Sequence, residues 1–277
     1  MTSLAGAVIL KDIKKTVLFK NRDLETKNYQ EEVFYDMDCF GIRGLDRNSG
    51  EPAGIALGVN RYGLSVATTN IMATSHPSYD ILAEQILMFA KSAEDGLAMT
   101  VDHLKGGREY QWGNLVLADD DSMLIIEIAG GEHSIEWSER KVLRTGHHIM
   151  LDTEEVLKRS STEMGYDNYF QNSTVRLERG YELLRKVERI NEVFSLLRDH
   201  GEQMGQHSIC KHSESTTGVG TAASYVIEVD HESVTGKPKI ILHFCRGHPC
   251  QSEYVSIPLV FPADEDIMKR AREIFFR

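Results

Sequence analysis

An apolar strand that opens at residue 2 is the feature that most constrains this chain. Residues 2–10 are small or apolar, Lys11-Asp12-Ile13-Lys14-Lys15 makes a polar turn, and Thr16-Val17-Leu18-Phe19 follows. The pattern predicts a β-hairpin beginning almost at the first residue. A core strand that starts there carries an α-amino group into the fold. Thr2 is small, the context in which methionine aminopeptidase removes an initiator Met1. The processed chain would then begin at Thr2. A terminal threonine bears a hydroxyl and a free amine of reference pKa about 8. The amine can serve as general base for its own hydroxyl, which activates an otherwise weak nucleophile.

Further strands are predicted over 33–40, 54–59 and 64–68, with Asn60-Arg61-Tyr62-Gly63 as the turn between the last two. The period then changes. Ser78 caps a helix whose face is Leu82, Ile86, Phe89 and Ala90, and a second helix covers 93–104. Strands follow at 114–117, 123–128, 134–137 and 142–143, helices at 176–187 and 190–199, and a strand pair at 225–229 and 239–244. Ile267, Ala271 and Ile274 mark a closing amphipathic helix. Runs of strands and of helices, rather than strict alternation, predict an α+β fold with antiparallel sheets covered by helices. No repeat or linker interrupts the chain, so one domain over 1–277 is expected.

Composition excludes several function classes. The chain carries 42 acidic against 31 basic residues, net −11, which argues against a nucleic-acid partner. No apolar run approaches the roughly 18 residues of a membrane span, and the first ten residues lack a basic n-region. Four cysteines in 277 residues do not make a disulfide scaffold. The expectation is an acidic, soluble, cytoplasmic protein without a membrane partner.

Several motifs carry a resemblance. Lys20-Asn21-Arg22-Asp23, directly after the first hairpin, resembles the Arg-Asn-x-Asp segment of the N-terminal-nucleophile amidases, the choloylglycine hydrolases and the acyl-coenzyme A:6-aminopenicillanic acid acyltransferases. Gly58-Val59-Asn60-Arg61-Tyr62-Gly63-Leu64 resembles their Gly-x-Asn-x-x-Gly-Leu turn, and Ala67-Thr68-Thr69-Asn70 follows it. Leu117-Ala118-Asp119 with Ile125-Ile126-Glu127, Arg144-Thr145-Gly146-His147-His148, and the pair Thr221-Ala222-Ala223-Ser224 and Gly247-His248-Pro249-Cys250 resemble later segments of the acyltransferase group. The resemblance implies a four-layer αββα sandwich and an amidase or acyltransferase acting on a small N-acyl or peptide-like substrate. It implies no metal or organic cofactor, and a homo-oligomer.

Carried over residue by residue, the resemblance makes Thr2 the nucleophile and gives Asp23 the task of holding its amine. Lys20 or Arg22 supplies positive charge beside it. Asn70 donates its amide to the oxyanion, a contact worth roughly 2.7–4 kcal/mol. Asn60 and His147 are placed at the substrate. On this reading Asp23→Asn cuts turnover by orders of magnitude with little loss of stability. Two departures stand out. Met1-Thr2-Ser3-Leu4-Ala5 aligns either with Thr2 in the place of the family's Cys, or with Met1 there and no nucleophile at all. Gly146 stands where the family places an Asn donor, so His147 or a backbone N–H must substitute.

Three competing readings remain. Cys39 would be a nucleophile only if the chain were cut before it, and its place in the 33–40 strand favours a core role. A chain that kept the pocket without the nucleophile would be a binding protein. Finally, His243-x-Cys245-x-x-His248-x-Cys250 and His207-x-x-Cys210-x-His212 are rich in zinc-ligand types, although the spacing matches no closed finger. Glu154-Glu155 and Asp119-Asp120-Asp121 read as solvated turns, and 152–175 as a pocket loop without a signature.

Overall fold

The structure, a computed structural model, describes residues 3–10, 14–25, 31–45, 52–163, 169–213, 218–232 and 236–275. The alternation of the first strand sets the layers. In β1 (Leu4–Leu10), Ala5, Ala7 and Ile9 enter one hydrophobic cluster, while Leu4, Val8 and Leu10 enter another. Successive side chains of a strand point to opposite faces, and a strand buried throughout must be covered on both. β1 lies between β2 (Lys15–Glu25) and β10 (Lys141–Arg144) in a six-stranded antiparallel sheet of order β10-β1-β2-β11-β12-β13. The remaining strands of that sheet are β11 (Val219–Asp230), β12 (Lys239–Arg246) and β13 (Val255–Leu259).

A second, seven-stranded sheet runs β3 (Glu31–Tyr35), β4 (Cys39–Leu45), β5 (Pro52–Asn60), β6 (Ser65–Met72), β7 (Tyr110–Ala118), β8 (Met123–Gly130) and β9 (Glu132–Ser138), in chain order. The two sheets share one core, in which Leu18 and Ile227 meet Leu57, Val59, Ala67 and Val116. The outer face of the second sheet is covered by α1 (Tyr79–Phe89) and α2 (Ala93–Lys105). The outer face of the first is covered by α4 (Tyr169–Leu184) and α5 (Ile190–Leu197). α6 (Glu265–Phe275) packs Ala271 and Phe275 against the margin of the shared core. This is the expected four-layer αββα sandwich. No helix among the described residues is long and apolar enough to cross a membrane.

Several sequence expectations need correction. The predicted 33–40 strand is two strands, because the Asp36 carboxylate accepts the N–H groups of Asp38 and Cys39 and folds a turn there. Residues 154–163 form α3 (Glu154–Glu163) rather than loop, with exposed Glu154 and Glu155 in its first turn. The favourable interaction of carboxylates with a helix N-terminus explains that placement. Asp119 is not solvated: it is 7% exposed and accepts the N–H of Ala93 (2.8 Å) at the start of α2. Phe89 does not share the buried face of α1, which consists of Tyr79, Leu82, Ala83, Ile86 and Leu87.

One glycine positions the later site. β5 and β6 pair only from Val59↔Ser65 to Leu57↔Ala67, and beyond that they part. Gly54, in β5 beyond the pairing, has φ +94°, and a Cβ there would lie 2.3–2.5 Å from backbone atoms of Asp80 and Ile81. Glycine therefore permits both the backbone turn and the close seating of α1. Gly54→Ala should destabilise the protein by about 1–3 kcal/mol, the usual range for overpacking, read as a lower urea midpoint. An unchanged midpoint would show that α1 is not held by this contact.

Candidate active site

The segment Lys20-Asn21-Arg22-Asp23 lies on β2, so its side chains alternate between the two faces of the sheet. Lys20 and Arg22 point between the sheets; Asn21 and Asp23 point to the helix layer. This alternation separates two sets of contacts. Asn21 donates to the carbonyls of Leu197 (2.9 Å) and Ile209 (3.0 Å) and accepts from the Ser224 hydroxyl (2.6 Å), a satisfied structural amide. Asp23 is fully buried and ion-paired with the equally buried Arg176 of α4 at 2.7 Å. Its other oxygen accepts from the Thr221 hydroxyl at 2.9 Å, and its backbone N–H donates to the Ser3 hydroxyl at 3.3 Å. Thr221 is further tied to Lys211 by two backbone-anchored bonds of 2.9 Å. Burial lowers the Lys211 amine to about 8, against the attraction of Asp23.

On the other face, the Lys20 ammonium occupies the gap where β5 and β6 part. It donates to the carbonyls of Ala56 (3.1 Å) and Thr68 and to the Thr68 hydroxyl (3.3 Å). Two carbonyls freed from strand pairing thereby find a donor. Burial brings this amine down to about 7, against the attraction of Asp80. The Thr68 hydroxyl also donates to Asp80 at 2.7 Å. Arg22 is ion-paired with the buried Glu31 at 2.5 Å, and the Tyr225 hydroxyl donates to the same carboxylate.

Asn70 ends this stretch of β6, two residues beyond the Thr68 that Lys20 holds, and is half-buried. Its side chain is hydrogen-bonded to the Tyr79 phenol, whose pKa burial pushes up. Tyr79 packs over Gly113, the cross-strand partner of Asn70, where a Cβ would stand 2.4 Å from the ring. The first half of α4 spans this end of the sandwich. The Tyr169 hydroxyl donates to the Ile71 carbonyl (3.0 Å), Ser173 binds the segment after β10, and Arg176 meets Asp23.

That segment contains His147. The Ser173 hydroxyl lies 2.7 Å from His147 Nδ1 and accepts the Gly146 N–H at 2.8 Å. Asn114 donates to Thr69, to the Thr145 carbonyl and to the His147 carbonyl, linking β6 and β7 to this stretch. Burial lowers the His147 ring to about 4, so it is neutral at pH 7. The N–H of Gly146 and Nδ1 of His147, the atoms expected to stand in for a missing Asn donor, are both engaged with Ser173. Just behind, Glu127 accepts from the Arg144 guanidinium (2.9 Å) and from the N–H groups of Ile149, Met150 and Leu151 (2.8–3.0 Å). Burial opposes ionisation, but Arg144 and these N–H groups hold its carboxyl below the usual range.

The structure thus places Lys20, Arg22, Asp23, Asn70 and His147 at one end of the sandwich, and Asn60 apart from them. Asn60 lies at the opposite end of β6 from Asn70, 2% exposed. Its amide donates to the Leu87 and Ala90 carbonyls and accepts from the N–H groups of Tyr62 and Leu64, so it ties the 60–64 turn to the end of α1. Cys39 is buried opposite Asn60 at that same far end, and burial raises its thiol pKa. Met1 and Thr2 lie outside the described residues; Ser3, next to Asp23, is the first described.

Sequence reading missed Arg176, Glu31 and Ser173. Arg176 was legible in principle: Ser173, Leu177, Gly180 and Leu184 share its buried stripe on α4, where an arginine needs a partner. Its pairing also corrects the expectation that Asp23→Asn would leave stability intact. Removing one partner of a buried ion pair costs about 3–5 kcal/mol. Asp23→Asn should lower the urea midpoint accordingly, and adding Arg176→Met should recover more than half of that loss. A single variant as stable as the parent would contradict the pairing.

The chain matches the profile described as acyl-coenzyme A:6-aminopenicillanic acid acyl-transferase over residues 11–235. No curated protein matches it. Among solved structures it resembles penicillin V acylase from Agrobacterium tumefaciens, with a TM-score of 0.54 and 15% identity over 94% of this chain and 86% of that one. At that identity the likeness concerns the fold alone, the αββα sandwich. The motifs, the sandwich and the profile match agree: the chain belongs to the acyl-coenzyme A:6-aminopenicillanic acid acyl-transferase family.

Proposed function

We propose that this protein hydrolyses or transfers the acyl group of a small linear amide, using Thr2 as an N-terminal nucleophile after removal of Met1. The observation that carries the proposal is the buried Asp23, fixed by Arg176 and Thr221 and bonded through its N–H to Ser3, one residue from the nucleophile. A carboxylate held at the start of β1 is suited to orient an ammonium or amine. The Thr2 hydroxyl attacks the substrate carbonyl as its own amine takes the proton. The amide N–H of Asn70 supports the oxyanion. Collapse expels the amine leaving group, which takes the proton back, and water or an acceptor amine then resolves the ester.

Lys20 and Arg22 supply positive potential from the inter-sheet side. Lys20 is surrounded by Asp80 on α1 and by Arg22, Asp23 and Glu31. It is charged below about 7 and neutral above, since burial has lowered its pKa. The terminal amine must lose its proton to act, near pH 8 in an unperturbed chain. Activity should therefore rise as the amine deprotonates and fall as Lys20 loses its charge, giving a bell. In Lys20→Arg, which restores the residue of the Arg-Asn-x-Asp segment and stays charged, the alkaline fall should vanish while the acid limb remains. An unaltered bell would remove Lys20 from the mechanism.

A non-catalytic binding reading is favoured by one observation, the engagement of the Gly146 N–H by Ser173 where a second donor is expected. Variants of residue 2 separate the two. Thr2→Ala should abolish acylation with the fold intact. Thr2→Cys, whose thiol ionises far more readily, should be active and sensitive to alkylation. A chain with an additional residue blocking the amine should be inert, because an amide nitrogen has no basic lone pair. Equal turnover by blocked and trimmed chains would overturn the proposal.

A further inference from the structure

Four side chains that play no part in this mechanism converge on one point. His200 and His212 come from the stretch after α5, Cys210 from the same stretch, and Cys250 from the loop after β12. Their ligand atoms all lie within 4.8 Å of one another. His200 Nε2 is 3.1 Å from His212 Nε2, and His212 Nε2 is 3.5 Å from Cys210 Sγ and 3.3 Å from Cys250 Sγ. The two sulfur atoms are 3.5 Å apart.

We propose that His200, Cys210, His212 and Cys250 form a closed, tetrahedral zinc site. The distances carry the inference. Zinc–sulfur bonds of about 2.3 Å and zinc–nitrogen bonds of about 2.0–2.1 Å, arranged tetrahedrally, require edges of about 3.8 Å for S–S, 3.6 Å for S–N and 3.3 Å for N–N. Four of the six edges, namely S–S, N–N and the two from His212 to sulfur, fall within 0.3 Å of these, the N–N edge being the shortest, and the two from His200 to sulfur lie within 4.8 Å. Two thiolates balance the charge of a divalent ion, so the loaded site is neutral. Binding releases the two thiol protons to solvent. Four protein ligands leave no open position, which makes the site structural rather than catalytic.

The surroundings fit this role. Cys210 is buried and the other three ligands are partly buried. His200 also lines a cleft of about 860 Å³ between α4 and residues 200–207. The backbone is already pinned at the ligands: Cys210 N–H donates to the Asp199 carbonyl (2.9 Å) and His212 N–H to the Gly205 carbonyl (3.1 Å). Asp199 is itself held by Arg179 of α4. His248 stacks on His212 with ring centroids 3.8 Å apart and buttresses its plane. Only three of these ligands occur in the Cys/His-rich motifs of the sequence. His243 is bonded instead to Ser256 and Glu228, and Cys245, on the same face of β12 as His243, is buried opposite Ser224. The ion would clip the 200–212 stretch to the β12 loop, with Lys211, between two ligands, bonded to the Thr221 that holds Asp23.

The test uses untagged full-length protein purified without chelators. Elemental analysis should give one zinc per chain, and Cys210→Ser/Cys250→Ser should fall below about a tenth of that. His243→Ala and Cys245→Ser should keep it. Replacing zinc with cobalt in the wild type should produce intense visible bands of tetrahedral cobalt and a thiolate charge-transfer band, a readout that does not depend on variants folding. Wild-type protein without stoichiometric zinc and without the cobalt spectrum overturns the site. So does a Cys210–Cys250 disulfide found by peptide mapping of freshly purified protein.

Discussion

The buried pair of Asp23 and Arg176 is the interaction on which the arrangement of this end of the molecule depends. Both side chains are removed from water, and each alone would be an uncompensated charge in the interior. The pair therefore fixes α4 onto the outer face of the first sheet at the point where β1 begins. Once α4 is fixed there, Ser173 reaches the segment after β10 and Tyr169 reaches the end of β6. One helix thus sets the positions of His147 and of the strand carrying Asn70.

The second constraint is the parting of β5 and β6. Strand separation exposes carbonyls that must find donors, and the Lys20 ammonium provides them from the opposite sheet. A cation is thereby trapped between the sheets without a carboxylate in contact, which is why its proton becomes loosely held. Arg22 is buried too, but the Glu31 carboxylate pairs with it and its pKa is raised. Two cations two residues apart on one strand thus have opposite titration behaviour for a local geometric reason.

The layers were legible because strands and helices come in runs and the motifs resemble those of an αββα family, and the cap of α1 is explicit at Ser78, whose hydroxyl accepts the Asp80 N–H. The Lys20-Asn21-Arg22-Asp23 segment was legible as a motif but was placed after the hairpin; it continues β2, and its two faces follow from the fold. The partners were not legible, since Arg176 lies 153 residues from Asp23 in sequence and pairs through tertiary packing alone. Asn60 shows the converse limit: the motif was read as a substrate contact, whereas its amide is consumed by the local turn and the end of α1. α3 was missed because its composition is polar and carries no apolar stripe of the usual kind. The Cys/His-rich stretches revealed ligand types, but only the fold shows which four meet, and His200 belonged to neither motif.

The central claim is that chemistry occurs at residue 2. The most direct measurement is intact-mass spectrometry of the protein incubated with a panel of N-acyl amides, followed by peptide mapping of any adduct. The account predicts a chain lacking Met1 that gains one acyl group, released by base and located on Thr2. An acyl group mapped to Ser3, Cys39 or any other side chain, or acylation of a chain that retains Met1, would contradict it.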